Sequence, residues 1–292
     1  MRHERFAAWA LATPWALMPE TMTAFARMFA VKFADTGASD EVHAGPAPRK
    51  TGQRAGAIAV IPVQGAIVQR ASQLDLCAQG TSTQMVSNML ADANADDSVS
   101  QILLDIDSPG GSVYGVQELA DEIRASAKPV IAIANSLAAS AAYWLGSAAS
   151  EFHITPGGEV GSIGVWSAHE DWSKALEDSG VKVTLISAGE FKTEGNPYQP
   201  LAADAQTFMQ SRVDDYYKAF TSAVAKGRKV GIDQVRSDMG KGRVFGAQQA
   251  LSASMVDSVS TFDQVIARMQ KSMRQPQPNR LARAQRDISI MG

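Results

Sequence analysis

The sequence predicts an α/β fold of repeated right-handed βαβ units, and three observations carry that prediction. Short apolar runs at residues 102–106 and 130–134 have the length and composition of strands buried on both faces. Each run ends at a turn of glycines or small residues and passes into a helical pattern. The spacing strand, glycine turn, helix, strand, helix then matches parallel strands joined by crossover helices. The chain has 292 residues, 45% of them hydrophobic, enough for one large domain or two small ones with a sizeable core.

Taken in order, residues 6–17 and 21–33 predict two short helices that pack on the body or on a partner. The first follows Arg2 and Arg5 and has something of a signal peptide, but Pro14 and Pro19 interrupt it and Glu20 follows. No run reaches the roughly 18–20 apolar residues that span a bilayer. Residues 35–55, rich in Gly, Pro, Ala and charge, predict a linker. Residues 56–67 predict a strand with a turn at Gln64-Gly65, and 81–93 a helix capped by Thr81 or Ser82. After the strand 102–106 comes a helix over 114–125. Pro129 opens the strand 130–134, which turns at Asn135-Ser136 into a helix of small residues over 138–149.

Beyond it the pattern predicts a strand at 152–155, a Pro-Gly-Gly turn at 156–158 and the run 160–166. A helix at 168–179, a strand at 181–187 and a Gly/Pro-marked loop at 188–200 follow. The C-terminal region is helical: 204–226, 232–239, 246–251 and 261–273. The organisation is thus 1–34 N-terminal helical segment, 35–55 linker, 56–273 main domain and 274–292 basic tail. No internal repeat is present.

Composition removes several function classes. The 27 basic and 30 acidic residues nearly balance, so bulk charge makes no case for nucleic acid or an acidic membrane surface. A single cysteine, Cys77, excludes an intrachain disulfide framework; Leu74 and Leu76 beside it offer no activating base. There is no metal-ligand spacing and no phosphate-binding glycine loop, so no cofactor is implied.

What remains points to acyl transfer. Ser140 falls in the first turn of the predicted small-residue helix, where unpaired N–H groups favour developing negative charge. Alanines on either side let other backbone approach. The turn Asp107-Ser-Pro-Gly-Gly-Ser-Val113 places two glycines after a strand end, a suitable source of amides for an oxyanion hole. A serine nucleophile needs a base. His3 and His43 lie in the N-terminal segment and the linker, His153 in a predicted strand and His169 at the start of a predicted helix, so a Ser-His-Asp triad is poorly supported. Lysine is the other choice. It accepts a proton only when neutral, and burial brings its ordinary pKa of about 10.4 down by the several units required. Lys192 lies in the Gly/Pro-marked loop directly after a predicted strand, with Glu190 and Glu194 beside it.

These motifs occur together and in order: Asp107-Ser-Pro-Gly-Gly-Ser-Val113, Ala138-Ala-Ser-Ala-Ala-Tyr143, Gly161-Ser-Ile-Gly-Val165, Gly189-Glu-Phe-Lys192, then Gly242-Arg-Val-Phe-Gly-Ala-Gln-Gln-Ala-Leu251 with Met255-Val-Asp257. From about residue 57 to 259 the chain resembles the signal peptide peptidase A family of Ser-Lys proteases, and most closely its phage branch of head-maturation (prohead) proteases. The resemblance implies a Clp protease/crotonase-like fold and a Ser-Lys dyad. By motif the nucleophile falls on Ser140 and the general base on Lys192, 52 positions later. Ser162 falls where the family has a serine that orients the lysine, and Gly111 on the oxyanion-hole glycine. The second oxyanion donor falls on the backbone N–H of Ser140 or Ala141. The chain departs from the family in having Ala141-Ala142 where Gly-Gly is common, and Ser254 before Met-Val-Asp.

The resemblance further implies an endopeptidase acting on capsid, scaffold or portal proteins during head assembly, working as a homo-oligomeric ring in the host cytoplasm or the prohead. Nucleic acid and integral membrane association are not expected. The small residues 138, 139 and 141 suggest narrow pockets for small apolar side chains. Two other readings share the fold: a peptidase clearing signal or membrane-derived peptides, and a non-catalytic scaffold. A crotonase-type acyl-CoA enzyme would need carboxylates facing the site in place of the Ser-Lys pair.

Overall fold

The computed structural model describes residues 13–19, 21, 53–54, 56–70 and 80–274. Most of the expected N-terminal helices, the linker as far as residue 52, His3, His43, Cys77 and the basic tail from 275 onward lie outside the described residues. Among the described residues, no helix is long and apolar enough to cross a membrane.

Among the described residues, twelve strands and eight helices follow in chain order. The first half contains β1 (Trp15–Leu17), β2 (Gln53–Arg54), β3 (Ile58–Gln64), β4 (Ala66–Val68), β5 (Gly80–Ser82), α1 (Thr83–Ala95), β6 (Gln101–Ser108), β7 (Gly110–Ser112), α2 (Val116–Ala125), β8 (Val130–Ala139) and α3 (Ala141–Ser147). Then come β9 (Glu151–Ile154), β10 (Glu159–Gly161), α4 (Ser173–Asp178), α5 (Ala203–Arg228), α6 (Ile232–Asp238), β11 (Val244–Gly246), α7 (Ala247–Ser252), β12 (Ser258–Val259) and α8 (Phe262–Arg274).

The main sheet runs β11-β10-β8-β6-β3-β2, with β9 also pairing β8 and β12 pairing β9. Its centre is parallel: β3 with β6, β6 with β8, and β8 with β9 and β10. The period of two in these strands explains their unbroken hydrophobicity. Ile102, Leu104, Ile106, Ala132 and Ala134 join the large core under α1, α2 and α3. Leu103, Ile131 and Ile133 point the other way, with Ile58 and Val60, into a second core closed by Val265 and Met269 of α8. A smaller sheet, β1-β7-β4-β5, stands beside the first.

Most predicted elements form. Ser82 is the cap of α1, its hydroxyl accepting from Met85 N–H at 3.1 Å. Several expectations need correction. The strand expected to stop at 134 continues to Ala139, because pairing with β6 resumes beyond an irregularity and β10 adds a partner. The helix is correspondingly shorter. Residues 181–187 form no strand, since among the described residues no neighbouring strand meets their N–H and C=O groups. The helix at 168–179 is confined to α4. Part of the segment predicted as the first helix is instead β1, paired antiparallel with β7, and the last residues of the linker form β2 against β3. Pro14 and Pro19 bracket β1, and proline disfavours helical backbone in the residue before it.

Long-range polar contacts lock the helical region to the sheet. Trp144 of α3 stacks on Phe220 of α5, centroids 4.7 Å apart. Gly227 of α5 lies so close to α3 that a Cβ there would overlap the Ser147 carbonyl. The Arg228 guanidinium donates twice to Asp257, at 2.9 and 2.8 Å, and Asp257 also accepts from Phe152 N–H at 2.6 Å. Burial raises the Asp257 carboxyl, but these hydrogen bonds and the Arg228 charge outweigh it and hold it below the ordinary carboxylate range. The Tyr143 hydroxyl, pushed upward by burial, donates to Met255 O at 3.0 Å. His153, 1% exposed, sits between Ser258 Oγ, 3.0 Å from Nδ1, and Glu151, 3.3 Å from Nε2. Burial, and then the charge of Arg268, lowers this imidazole; Glu151 and Asp257 pull the other way without offsetting them.

Both shifts act on stability with the same sign. Between the lowered folded value of His153 and its ordinary 6.5, the unfolded chain holds more protons, so stability falls as pH drops through that window. Asp257 adds a further loss at lower pH, as it titrates through its folded value. Urea unfolding at stepped pH is expected to show this decline, and His153→Gln to flatten it between the two His153 values. Asp257→Ala, which strands the nearly buried Arg228, is expected to cost about 2 kcal/mol or more at pH 7.

Candidate active site

The site is assembled where three backbone segments meet at the end of β8. Ser140 follows the last residue of that strand and caps α3 with φ 56° and ψ −118°. That left-handed conformation is unfavourable for a residue with a side chain. It is held because Ser140 N–H donates to Gly161 O at 2.7 Å and Ser140 O accepts from Trp144 N at 2.9 Å, the first bond of the helix. The result is a sharp strand-to-helix turn with a serine at its apex, the geometry that presents a nucleophile in other hydrolase folds. The Ser140 hydroxyl has one long contact, 3.5 Å to Gly164 O, and the residue is 1% exposed.

Gly110 and Gly111 lie directly alongside. A Cβ on Gly110 would stand 2.9 Å from both Ser140 Cβ and Ala139 O, and one on Gly111 would overlap the Ile67 backbone. The Pro-Gly-Gly turn is therefore a requirement of close packing, with Gly110 against Ser140 and Gly111 against β4. The Ser140 N–H itself is bonded to Gly161 O.

Ser162 belongs to the same knot. It too has positive φ, 52°, and its N–H donates to Arg243 O at 2.8 Å. The structure thus brings together Ser140, Ala141, Ser162 and Gly111. Lys192 is not among them. It occupies a turn over 189–195, its N–H bonded to Gly189 O at 3.1 Å, with its side chain exposed and making no hydrogen bond to Ser140. The 167–202 segment around it is held mainly to itself, through Trp172 N–H to Pro197 O at 2.8 Å and His169 Nε2 to Asn196 O at 3.0 Å. It carries exposed apolar side chains: Trp172, Val181, Ile186 at 95%, Phe191 and Tyr198.

Sequence reasoning missed one participant. Trp15–Leu17 lies against β7, the strand that holds Gly111, and also bridges Trp166. The available signal was the pair of prolines marking off a strand-length run.

The fold is of the Clp protease-like α/β type. A family model for Clp protease matches residues 64–156, and one for peptidase family S49 matches residues 122–275, more than half of the chain. The chain belongs to peptidase family S49. It is 35% identical over 231 residues to the capsid assembly protease C of Escherichia phage lambda, covering 78% of this chain and 52% of that one. It is 34% identical over 234 residues to the head-tail preconnector protein GP5 of Enterobacteria phage P21, covering 79% and 46%. Protease 4 of Haemophilus influenzae is 26% identical over 75% of this chain and 35% of its own. The chain therefore spans about half the length of the phage relatives it matches.

Gly111→Ala is expected to destabilise the protein by about 1–3 kcal/mol or more in thermal melts, since its methyl group meets rigid backbone. Gly157→Ala, where nothing lies within 4 Å of the new methyl group, is expected to be nearly neutral.

Proposed function

We propose that the protein is a serine endopeptidase with a Ser140–Lys192 dyad that processes capsid, scaffold or portal proteins during phage head assembly. The observation that carries this reading is the strained turn at Ser140 with the Gly110 backbone against it. The membership of family S49 and the phage relatives support the same reading.

In this mechanism neutral Lys192 takes the Ser140 proton as Oγ attacks the scissile carbonyl. The amides of Gly111 and Ala141 hold the oxyanion. Lysine returns the proton to the leaving amine, and a water deprotonated by the same lysine then releases the acyl group. Ser162, next to the glycine that holds Ser140, orients the lysine. The small residues around the turn favour small side chains beside the cut.

A lysine base has to be withdrawn from water, and in a single chain Lys192 is exposed. The apolar side chains of the 167–202 segment need covering as well. Self-association, as in a homo-oligomeric ring, meets both needs, so the assembled form is the active one.

With a capsid or scaffold protein as substrate, Ser140→Ala and Lys192→Ala are each expected to lower the cleavage rate by about 10³-fold or more, with far-ultraviolet spectra unchanged. Wild-type rates in either variant would remove the dyad assignment. Specific activity is expected to fall on dilution, in step with dissociation followed by sedimentation.

A further inference from the structure

The segment 13–18 lies where a peptide substrate has to lie if Ser140 is the nucleophile. It is extended and runs between two backbone edges that both flank the serine. On one side its register with β7 is Trp15 with Ser112, Ala16 with Gly111 and Leu17 with Gly110. Val113 N–H donates to Pro14 O at 3.3 Å, and Met18 N–H to Pro109 O at 3.2 Å. Hydrogen-bonded pairs alternate in an antiparallel ladder, so Ala16 is the hydrogen-bonded partner of Gly111. On the other side, Trp15 and Trp166 exchange backbone bonds of 2.8 and 3.0 Å, and the Trp166 indole donates to Leu17 O at 2.9 Å.

Two consequences follow for the chemistry. The amide assigned to the oxyanion is occupied by the Ala16 carbonyl. That same carbonyl oxygen and the Ser140 Cβ both crowd the position a Cβ on Gly110 would take, so Ala16 lies directly beside the nucleophile. The residue in this position is small, as expected for the neighbourhood of Ala138, Ala139 and Ala141. With the segment in place, Ser140 is closed off from water.

We propose that residues 13–18 are a built-in, substrate-like occupant of the peptide cleft, closing it by strand addition and leaving before a substrate strand enters in the same register. Strand addition to a sheet edge supplies main-chain affinity while pockets for alternate side chains set the register. This proposal rests on the assignment of Ser140 and Gly111 to the site.

The test separates the two. In a Ser140→Ala background, a fluorescein-labelled Thr-Pro-Trp-Ala-Leu-Met peptide is titrated against the full chain and against the full chain carrying Trp15→Gly, Ala16→Ser and Leu17→Gly together. A cleft blocked in cis lowers apparent affinity by the fraction of molecules that are open, so the variant is expected to bind at least about tenfold tighter. Should the triple variant melt without a cooperative transition, the comparison is made instead on a chain with a specific protease site inserted within 35–50. That chain is folded, cut and passed through gel filtration before titration. Equal affinity for the peptide before and after release, or retention of the cut segment on the column, overturns the proposal and makes β1 a fixed strand of the sheet. Tighter binding in the released chain, with no cleavage by the Ser140 form, upholds the occupant and removes the Ser-Lys assignment.

Discussion

The hydrogen bond from Ser140 N–H to Gly161 O governs the arrangement of the site. It ties the end of β8 to the end of β10 at the point where β8 turns into α3. The bond is the last rung of the parallel β8–β10 ladder, in which Ala139 pairs with Gly161. Immediately beyond it the backbone turns with positive φ on both sides, at Ser140 and at Gly161 and Ser162. The strain is local, of order 1–3 kcal/mol per residue, and the surrounding parallel sheet over-determines it. The same end of β8 is also held by the pairing of Ala138 with Ser108 of β6 and by the first bond of α3, from Trp144 N–H to Ser140 O.

The fold was legible where periodicity alone decides it. The runs at 102–106 and 130–134 have no polar face, and a parallel strand covered on both sides has none to show. Helix α5 and the C-terminal helices were legible from amphipathic spacing. Errors arose wherever a partner outside the local window decides the outcome. Residues 135–139 read as turn and helix because Asn135 and Ser136 interrupt the apolar run, yet the edges of β6 and β10 hold them extended. Residues 181–187 have the composition of a strand and lack a pairing strand among the described residues.

The site divides along the same line. Ser140, Ser162 and Gly111 are within reach of one another because short turns of small residues carry them, and short turns are readable in a sequence. Lys192 sits in an exposed turn of the 167–202 segment, which is held mainly to itself. Spacing along the chain identifies such a residue by motif and says nothing about its burial. The strand 15–17 escaped for a related reason: its pairing partner lies about a hundred positions away, and local apolarity fits a helix equally well.

Gly227 lies outside every motif that points to chemistry, yet it fixes the distance between α5 and α3. Backbone meets backbone there, so the smallest possible side chain already separates the two helices. The helix it would displace begins at Ser140. Among relatives with the same packing, this position has no neutral path to another amino acid, and a substitution at it would survive only with a compensating shift of the whole C-terminal region. An alignment read for reacting groups alone would pass over it, although the serine's position depends on it.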